Sequence, residues 1–243
     1  MNVRITLCAV AISAMLFSTA CQMDMNRAMS AVSDAYTAET LSNDDIRALG
    51  MQAAAKSDGE NKVAASNSKY AKRLANLTSK FQSAPGAPSL NFKVYMVNEM
   101  NAFALPDGSI RVYSGLMDKL TDDELLFVVG HEIGHAAMGH SKNRFKTAYR
   151  VSAARKIAGA ANSSIAAISD SQMGELLESY VNAQFSQSQE YDADKYGADL
   201  LKKYGKSPKI GADALRKLGS GGGGALSSHP DTANRIKRVE AMM

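Results

Sequence analysis

Apolar positions recur at helical spacing over most of the chain. They fall three or four residues apart from residue 70 to 81, and again at about 170–182, 186–203, 208–218 and 231–242. Two further segments open with capping pairs, Ser42 with Asp45 and Thr121 with Glu124. The segment after Thr121 is almost wholly apolar, which is typical of a buried helix. The pattern therefore predicts a mainly helical domain.

Between residues 92 and 113 the apolar period changes to two. Apolar residues alternate from Phe92 to Met96, and the segments 101–104 and 110–113 flank a turn at Pro106-Asp107-Gly108. About three strands suffice for an independently stable sheet. We therefore predict the α+β class, mainly helical with a small antiparallel sheet of about three strands.

The first twenty residues have the features of a signal peptide. Arg4 precedes a mostly apolar stretch at 5–17, too short to span a bilayer, and small residues end at Ala20. Cys21 then follows, as in a bacterial lipobox, in which the cysteine is lipidated and becomes the new N-terminus. Plain secretion with cleavage near Ala20 is the alternative. We predict a signal peptide at 1–20, a lipid-anchored tether at 21–40 and one folded domain at 41–243.

The composition agrees with one ordinary globular domain. Hydrophobic residues make up 45% of the 243 residues and charged residues 21%, which is enough to build a core. The net charge of +4 is small, and no basic stretch carries the interleaved aromatic residues that stack on bases. We therefore expect no nucleic-acid partner.

The sequence His131-Glu132-Ile133-Gly134-His135 lies inside the predicted buried helix. Residues four apart are separated by about 40° around a helix, so both imidazoles can reach one metal ion. Glu132 lies on the neighbouring face, where it can act as a base on zinc-bound water without ligating the metal. Two unrelated core histidines are the alternative, but burying them with a glutamate would carry a heavy desolvation cost. We predict His131 and His135 as ligands of one zinc ion and Glu132 as the catalytic base.

In metzincins the third zinc ligand is a histidine six residues after the second ligand histidine. Here Ser141 stands six residues after His135, so the third ligand lies elsewhere. His140 lies half a turn from His131 on a continuous helix, so we expect it to end that helix near its negative terminus. Glu190 and Asp194 are four apart, hence on one helical face. A solvated acidic face is the alternative, but beside the zinc motif we predict Glu190 as a ligand and Asp194 as the partner of a ligand histidine, His131 by preference.

The prediction that Glu190 is the third ligand sets distances between the donor atoms. Ligand bonds of about 2.0–2.2 Å place the donor atoms of Glu190, His131 and His135 roughly 3–4 Å from one another. The helix that carries Glu190 must therefore pack beside the zinc helix, although more than fifty residues separate the two motifs in the sequence.

These motifs resemble the HtpX and CAAX-prenyl-protease-related family of gluzincin-type zinc peptidases, and within it the small lipoprotein proteases of the bacterial periplasm. The resemblance covers roughly residues 66 to 240. It rests on the zinc motif and on segments elsewhere in the chain: Asn101-Ala102-Phe103-Ala104 with Asp107-Gly108, Glu190 to Asp194, and His229-Pro230 followed by Arg235.

The resemblance implies a zincin-like metallopeptidase domain at 41–243 and further roles for individual residues. An edge strand at Asn101, Ala102 and Phe103 is expected to pair with the substrate backbone. His229 is expected near the oxyanion of the tetrahedral intermediate, and Arg235 is expected to be a structural partner of an acidic residue in the site. The alternatives are an ordinary hairpin for the strand, a loop histidine for His229 and a solvated helix arginine for Arg235. Gly130 and Gly134 are expected to let another element pack against the zinc helix.

The segment 141–182 contains no apolar run of about twenty residues, so we expect a soluble catalytic domain. Its basic part, 141–156, is interpreted as a solvated face, with contact to an anionic membrane as the alternative.

Together these features predict a zinc-dependent endopeptidase on the periplasmic side of the outer membrane, anchored through Cys21. The resemblance implies unfolded or misassembled envelope proteins as substrates, and we expect envelope proteases or assembly factors as partners. The alternative is a non-enzymatic lipoprotein chaperone or assembly factor with a structural zinc site, which would need no base at Glu132.

Overall fold

A computed structural model describes residues 41–79, 87–156, 169–220, 228–230 and 232–243. The predicted signal peptide, Cys21 and the tether lie outside the described residues, as does Phe81 at the end of one predicted helix.

Helices form most of the described chain, as predicted. Their bounds in chain order are α1 Asn43–Glu60, α2 Lys69–Thr78, α3 Ser114–Lys119, α4 Asp122–Ala137, α5 His140–Lys156, α6 Asp170–Asn182, α7 Gln187–Lys203, α8 Lys209–Ser220 and α9 Thr232–Glu240. Both predicted capping pairs are confirmed: the Ser42 and Thr121 side chains accept from the Asp45 and Glu124 amides, and each acidic side chain accepts from the cap amide in return. Local hydrogen bonding thus determines where α1 and α4 begin.

The three strands form a mixed sheet in the order β1-β3-β2, with β1 at Asn91–Tyr95, β2 at Ala102–Ala104 and β3 at Ser109–Tyr113. The predicted hairpin is confirmed, because β2 and β3 pair antiparallel around Gly108, whose φ of 92° suits glycine. The prediction of an entirely antiparallel sheet was wrong, since β1 pairs parallel with β3. The chain between β1 and β2 carries the hairpin past β1, so that β3 rather than β2 lies beside it.

Helix α4 lies at the centre of the domain. Every residue from Glu124 to Ala136 is buried, as the apolar pattern predicted. Helix α7 packs closely on α4: a Cβ at Gly130 would lie 3.0 Å from the Gly197 Cα, and a Cβ at Gly134 would lie 3.1 Å from the Ala193 Cα. The prediction that these two glycines permit close packing is therefore confirmed.

Helix α5 carries the basic segment and packs on α6. Arg144 was expected on a solvated face, but its side chain is buried, and its guanidinium carbon lies 4.6 Å from the centre of the Tyr180 ring. Arg150, by contrast, is exposed. Among the described helices, none combines the length and the hydropathy needed to cross a membrane.

Candidate active site

Four side chains on three parts of the chain bring potential metal ligands together. His131 and His135 project from α4, Glu190 from the first turn of α7, and His229 from the segment before α9. One ligand atom from each lies within 4.8 Å of every other, and all four side chains are buried. Such a convergence of ring nitrogens and a carboxylate has the donor chemistry of a zinc site.

The separations agree with the geometry expected from the sequence. The Nε2 atoms of His131 and His135 lie 3.0 Å apart. Glu190 places Oε2 3.7 Å from the Nε2 atom of His131 and Oε1 3.4 Å from the Nε2 atom of His135. The close α4–α7 packing at the glycines makes these distances possible.

The charge states of two of these groups, His135 and Glu190, fit a bound cation. Burial lowers the pKa of His135 well below its ordinary value, so its ring is neutral and offers a lone pair. Burial raises the pKa of Glu190, but the neighbouring His229, His135 and His131 outweigh it and hold that pKa below its usual range. The Glu190 Oε2 atom lies 2.6 Å from Arg235 Nη1 yet lacks a hydrogen-bond partner of correct geometry among the described residues. This oxygen is paired in charge with Arg235, but a carboxylate oxygen has two lone pairs and can accept from arginine and bind a metal ion as well.

Asp194 and Arg235 lie directly behind this group. Asp194 Oδ1 lies 2.9 Å from the Nδ1 atom of His131, the nitrogen that faces away from the other donors. Arg235 donates from Nε and Nη2 to the two Asp194 oxygens, at 2.8 and 2.7 Å. Asp194 thus orients the His131 ring, and Arg235 orients the Asp194 carboxylate.

His229 lies in the same group of donors. Its Nδ1 atom is 3.3 Å from His131 Nε2 and 2.9 Å from Glu190 Oε1, and its Nε2 atom is 3.7 Å from Glu132 Oε1. The ring therefore reaches both the predicted ligands and the predicted base. Its expected role at the oxyanion stays a prediction.

Glu132 borders a narrow cavity beside the donors. The cavity is lined also by His131, His229 and Arg235 and by the apolar side chains of Ala102, Leu116, Phe127, Val128, Leu215 and Leu218. Burial raises the pKa of the Glu132 carboxyl, although the nearby His229 and His131 oppose this effect. A raised pKa brings a carboxylate closer to the range in which it exchanges protons near neutral pH.

The predicted substrate-binding strand lies at the edge of the sheet, as β2. Ala102 lines the cavity, whereas the Phe103 ring packs in the core, 6.3 Å from the ring centres of Tyr95 and Tyr113. Asn101 is buried, and its carbonyl accepts the Tyr113 amide. Asn101 and Leu105 both bond to β3, so the Phe103 backbone between them faces β3 as well. The Ala104 carbonyl accepts the Tyr180 hydroxyl. The role of this strand stays a prediction.

Two residues that the sequence did not assign to the site contact His135. The expectation that His140 ends the zinc helix was wrong: α4 ends at Ala137, and His140 begins α5 with its Nδ1 atom 3.1 Å from the Nδ1 atom of His135. The Phe185 ring stacks on His135 at a centroid distance of 3.7 Å. Gly139 carried a signal for the helix end, since glycine commonly follows a helix C-terminus. Phe185 carried no comparable signal.

Comparison with known proteins identifies the family. The model of Peptidase family M48 matches residues 67–243. The chain is 40% identical to Metalloprotease LoiP of Escherichia coli over 100% of this chain and 98% of that protein, and 39% identical to Metalloprotease YcaL of the same organism over 96% and 94%. It is also 30% identical to the Beta-barrel assembly-enhancing protease of Yersinia pestis, over 52% of this chain and 28% of that protein. The resemblance inferred from the motifs is therefore confirmed, and the chain belongs to Peptidase family M48 and is a metalloendopeptidase.

Proposed function

We propose that the chain is a zinc-dependent endopeptidase of the bacterial envelope, with His131, His135 and Glu190 as the zinc ligands and Glu132 as the base. The observation that carries the proposal is the convergence of the two Nε2 atoms and the Glu190 carboxylate at 3.0–3.7 Å, next to Glu132. Nitrogen and oxygen donors in this number are the set that catalytic zinc sites use.

The reaction assigns a distinct task to each side chain. His131, His135 and Glu190 would hold a zinc ion, which would supply the Lewis acidity that polarises a scissile carbonyl and makes a water more acidic. Glu132 takes one proton from the attacking water as the new C–O bond forms, and it delivers that proton to the amine nitrogen as the C–N bond breaks. Asp194, fixed by Arg235, keeps the His131 ring turned so that Nε2 faces the other donors.

His229 is proposed to hold the oxyanion. Its ring borders the cavity beside Glu132, with Nε2 3.7 Å from the carboxylate. A ring N–H at this place can donate to the negative charge that develops on the former carbonyl oxygen.

The substrate is proposed to bind as an extended polypeptide along β2. The edge position of β2 leaves one side of the strand without a neighbouring strand, and Ala102 lines the same cavity as Glu132. Backbone pairing is indifferent to sequence and requires an unfolded segment, which suits unfolded or misassembled proteins as substrates.

The envelope location rests on the sequence of the N-terminus. A signal peptide at 1–20 and lipidation of Cys21 would tether the domain to the periplasmic side of the outer membrane. The Yersinia pestis relative is a protease named for β-barrel assembly, which supports envelope proteins as substrates and envelope assembly factors as partners.

The test separates an enzyme from a lipoprotein chaperone with a structural zinc site. Glu132→Gln should retain one zinc per chain and lose casein hydrolysis, because the variant keeps the ligands and removes the base. Glu178→Gln, a matched change on the exposed surface of α6, should keep both properties. Equal hydrolysis by wild type and Glu132→Gln would contradict the proposal, as would a purified wild-type protein that binds no zinc.

A further inference from the structure

His140 lies against the outer nitrogen of His135. The two Nδ1 atoms are 3.1 Å apart, and the rings meet at 66° with their centres 5.2 Å apart. His135 has no exposed surface, and His140 exposes 8%. This contact belongs to none of the motifs that indicate the active site.

The backbone places His140 there through a sharp turn. Helix α4 ends at Ala137, and Gly139 takes a positive φ of 73°, a conformation that other residues adopt only with strain. Helix α5 starts at the next residue. On a continuous helix His140 would point away from the site, so the turn at Gly139 is what returns it to His135.

The contact determines which nitrogen of His135 is available for a metal. Two ring nitrogens at 3.1 Å can form a hydrogen bond only if one carries a proton and the other a lone pair. The Nε2 atom of His135 faces His131 Nε2 and Glu190 Oε1. A lone pair at Nε2 requires the proton at Nδ1, which then donates to His140 Nδ1.

We propose that His140 is a positioning residue that fixes the tautomer and the orientation of His135 for metal binding, as Asp194 does for His131; the inference rests on the proposed zinc site. The two ligand histidines thus have different outer partners, a carboxylate at 2.9 Å and a neutral imidazole at 3.1 Å. Phe185 stacks on the His135 ring with an interplanar angle of 17° and holds its plane, while the hydrogen bond to His140 fixes its rotation.

The test uses two variants of similar size. Asparagine places its side-chain oxygen close to the position of the histidine Nδ1, so His140→Asn keeps an acceptor for His135. His140→Leu fills the space without an acceptor. Ser141→Ala is the matched control at the start of α5, because it changes the adjacent buried side chain and leaves His140 in place.

Zinc affinity is measured by competition with a chromophoric chelator, and circular dichroism of the metal-free proteins checks the fold. Loss of an outer partner typically weakens metal binding about 10–100-fold. We expect the zinc affinity of His140→Leu to fall by that factor and the affinity of Ser141→Ala to equal that of wild type. His140→Asn should lose at most about threefold, which is less than the roughly tenfold loss expected when an outer partner is removed. Wild-type affinity in His140→Leu would overturn the proposal, and so would equal losses in the Asn and Leu variants. The competition requires no peptide hydrolysis, so a protein that binds zinc as expected but cleaves nothing would contradict the proposed function and leave this inference standing.

Discussion

Gly197 makes a specific prediction about how the site is assembled. An added Cβ would lie 2.8 Å from the Phe127 carbonyl oxygen and 3.0–3.1 Å from two carbons of the Phe127 ring. The first distance is roughly half an ångström shorter than an ordinary contact, and a backbone oxygen of a buried helix cannot move aside cheaply. Gly197→Ala should therefore push α7 away from α4.

The expected change in the free energy of unfolding follows from overpacking. Extra volume in a well-packed core destabilises by about 1–3 kcal/mol, whereas alanine in a helix interior is intrinsically better than glycine by about 0.8–1 kcal/mol. We expect a net loss of up to about 2 kcal/mol in urea unfolding. We also expect weaker zinc binding, because Glu190 moves away from the two histidines on α4.

Gly59→Ala is the matched control. Gly59 also lies in a helix, but a Cβ there would meet no atom within 4 Å. This variant should be neutral or more stable by up to about 1 kcal/mol, with unchanged zinc affinity. A Gly197→Ala protein that is as stable as Gly59→Ala and binds zinc normally would refute the argument that close α4–α7 packing sets the site geometry.

Two further predictions concern the rest of the chain. The Asp58 carboxylate contacts Arg111 at 2.8 Å and Lys93 at 2.7 Å. Burial raises the pKa of Asp58, but the two cations and the Tyr95 hydroxyl outweigh this effect, so the pKa in the folded protein lies below the ordinary value. The ionised Asp58 therefore stabilises the fold fully above about pH 4, and this contribution is lost as the pH falls through the folded pKa. The stability difference between wild type and Asp58→Asn, measured by urea titration, should shrink on acidification. A difference that stays constant from pH 7 to pH 2 would contradict this prediction. Cys21→Ser should move the protein from the membrane to the soluble periplasmic fraction, because the acyl chains proposed at Cys21 would provide the anchor. Membrane association that persists in the variant would contradict a lipid anchor at Cys21 and favour the basic segment 141–156.

The sequence predicted most of the helices because their signals are local. Ser42 and Thr121 carry complete capping pairs, and the apolar run after Thr121 indicates burial without knowledge of the partner helix. The parallel pairing of β1 with β3 has no local signal, since strand order depends on where the whole hairpin packs. The same limit explains Arg144, whose burial depends on Tyr180 in a different helix.

The site residues also differ in whether local sequence spacing could predict them. His131, Glu132 and His135 share one helix, so their spacing alone indicates a shared face. The spacing of Glu190 and Asp194 alone equally suits a solvated acidic face, and only the zinc motif elsewhere in the chain favours a role in the site. The distances between α4 and α7 agree with that prediction. The contact of His140 with His135 was not predicted, because the helix was assumed to continue beyond Ala137.

The most direct test of the zinc site is an anomalous difference map at the zinc absorption edge from crystals of the zinc-loaded protein. We predict one peak per chain, with ligand bonds of about 2.0–2.2 Å to the Nε2 atoms of His131 and His135 and to the Glu190 carboxylate. A fully loaded protein whose zinc peak lies away from Glu190, or elsewhere on the chain, would contradict the assignment of these three ligands.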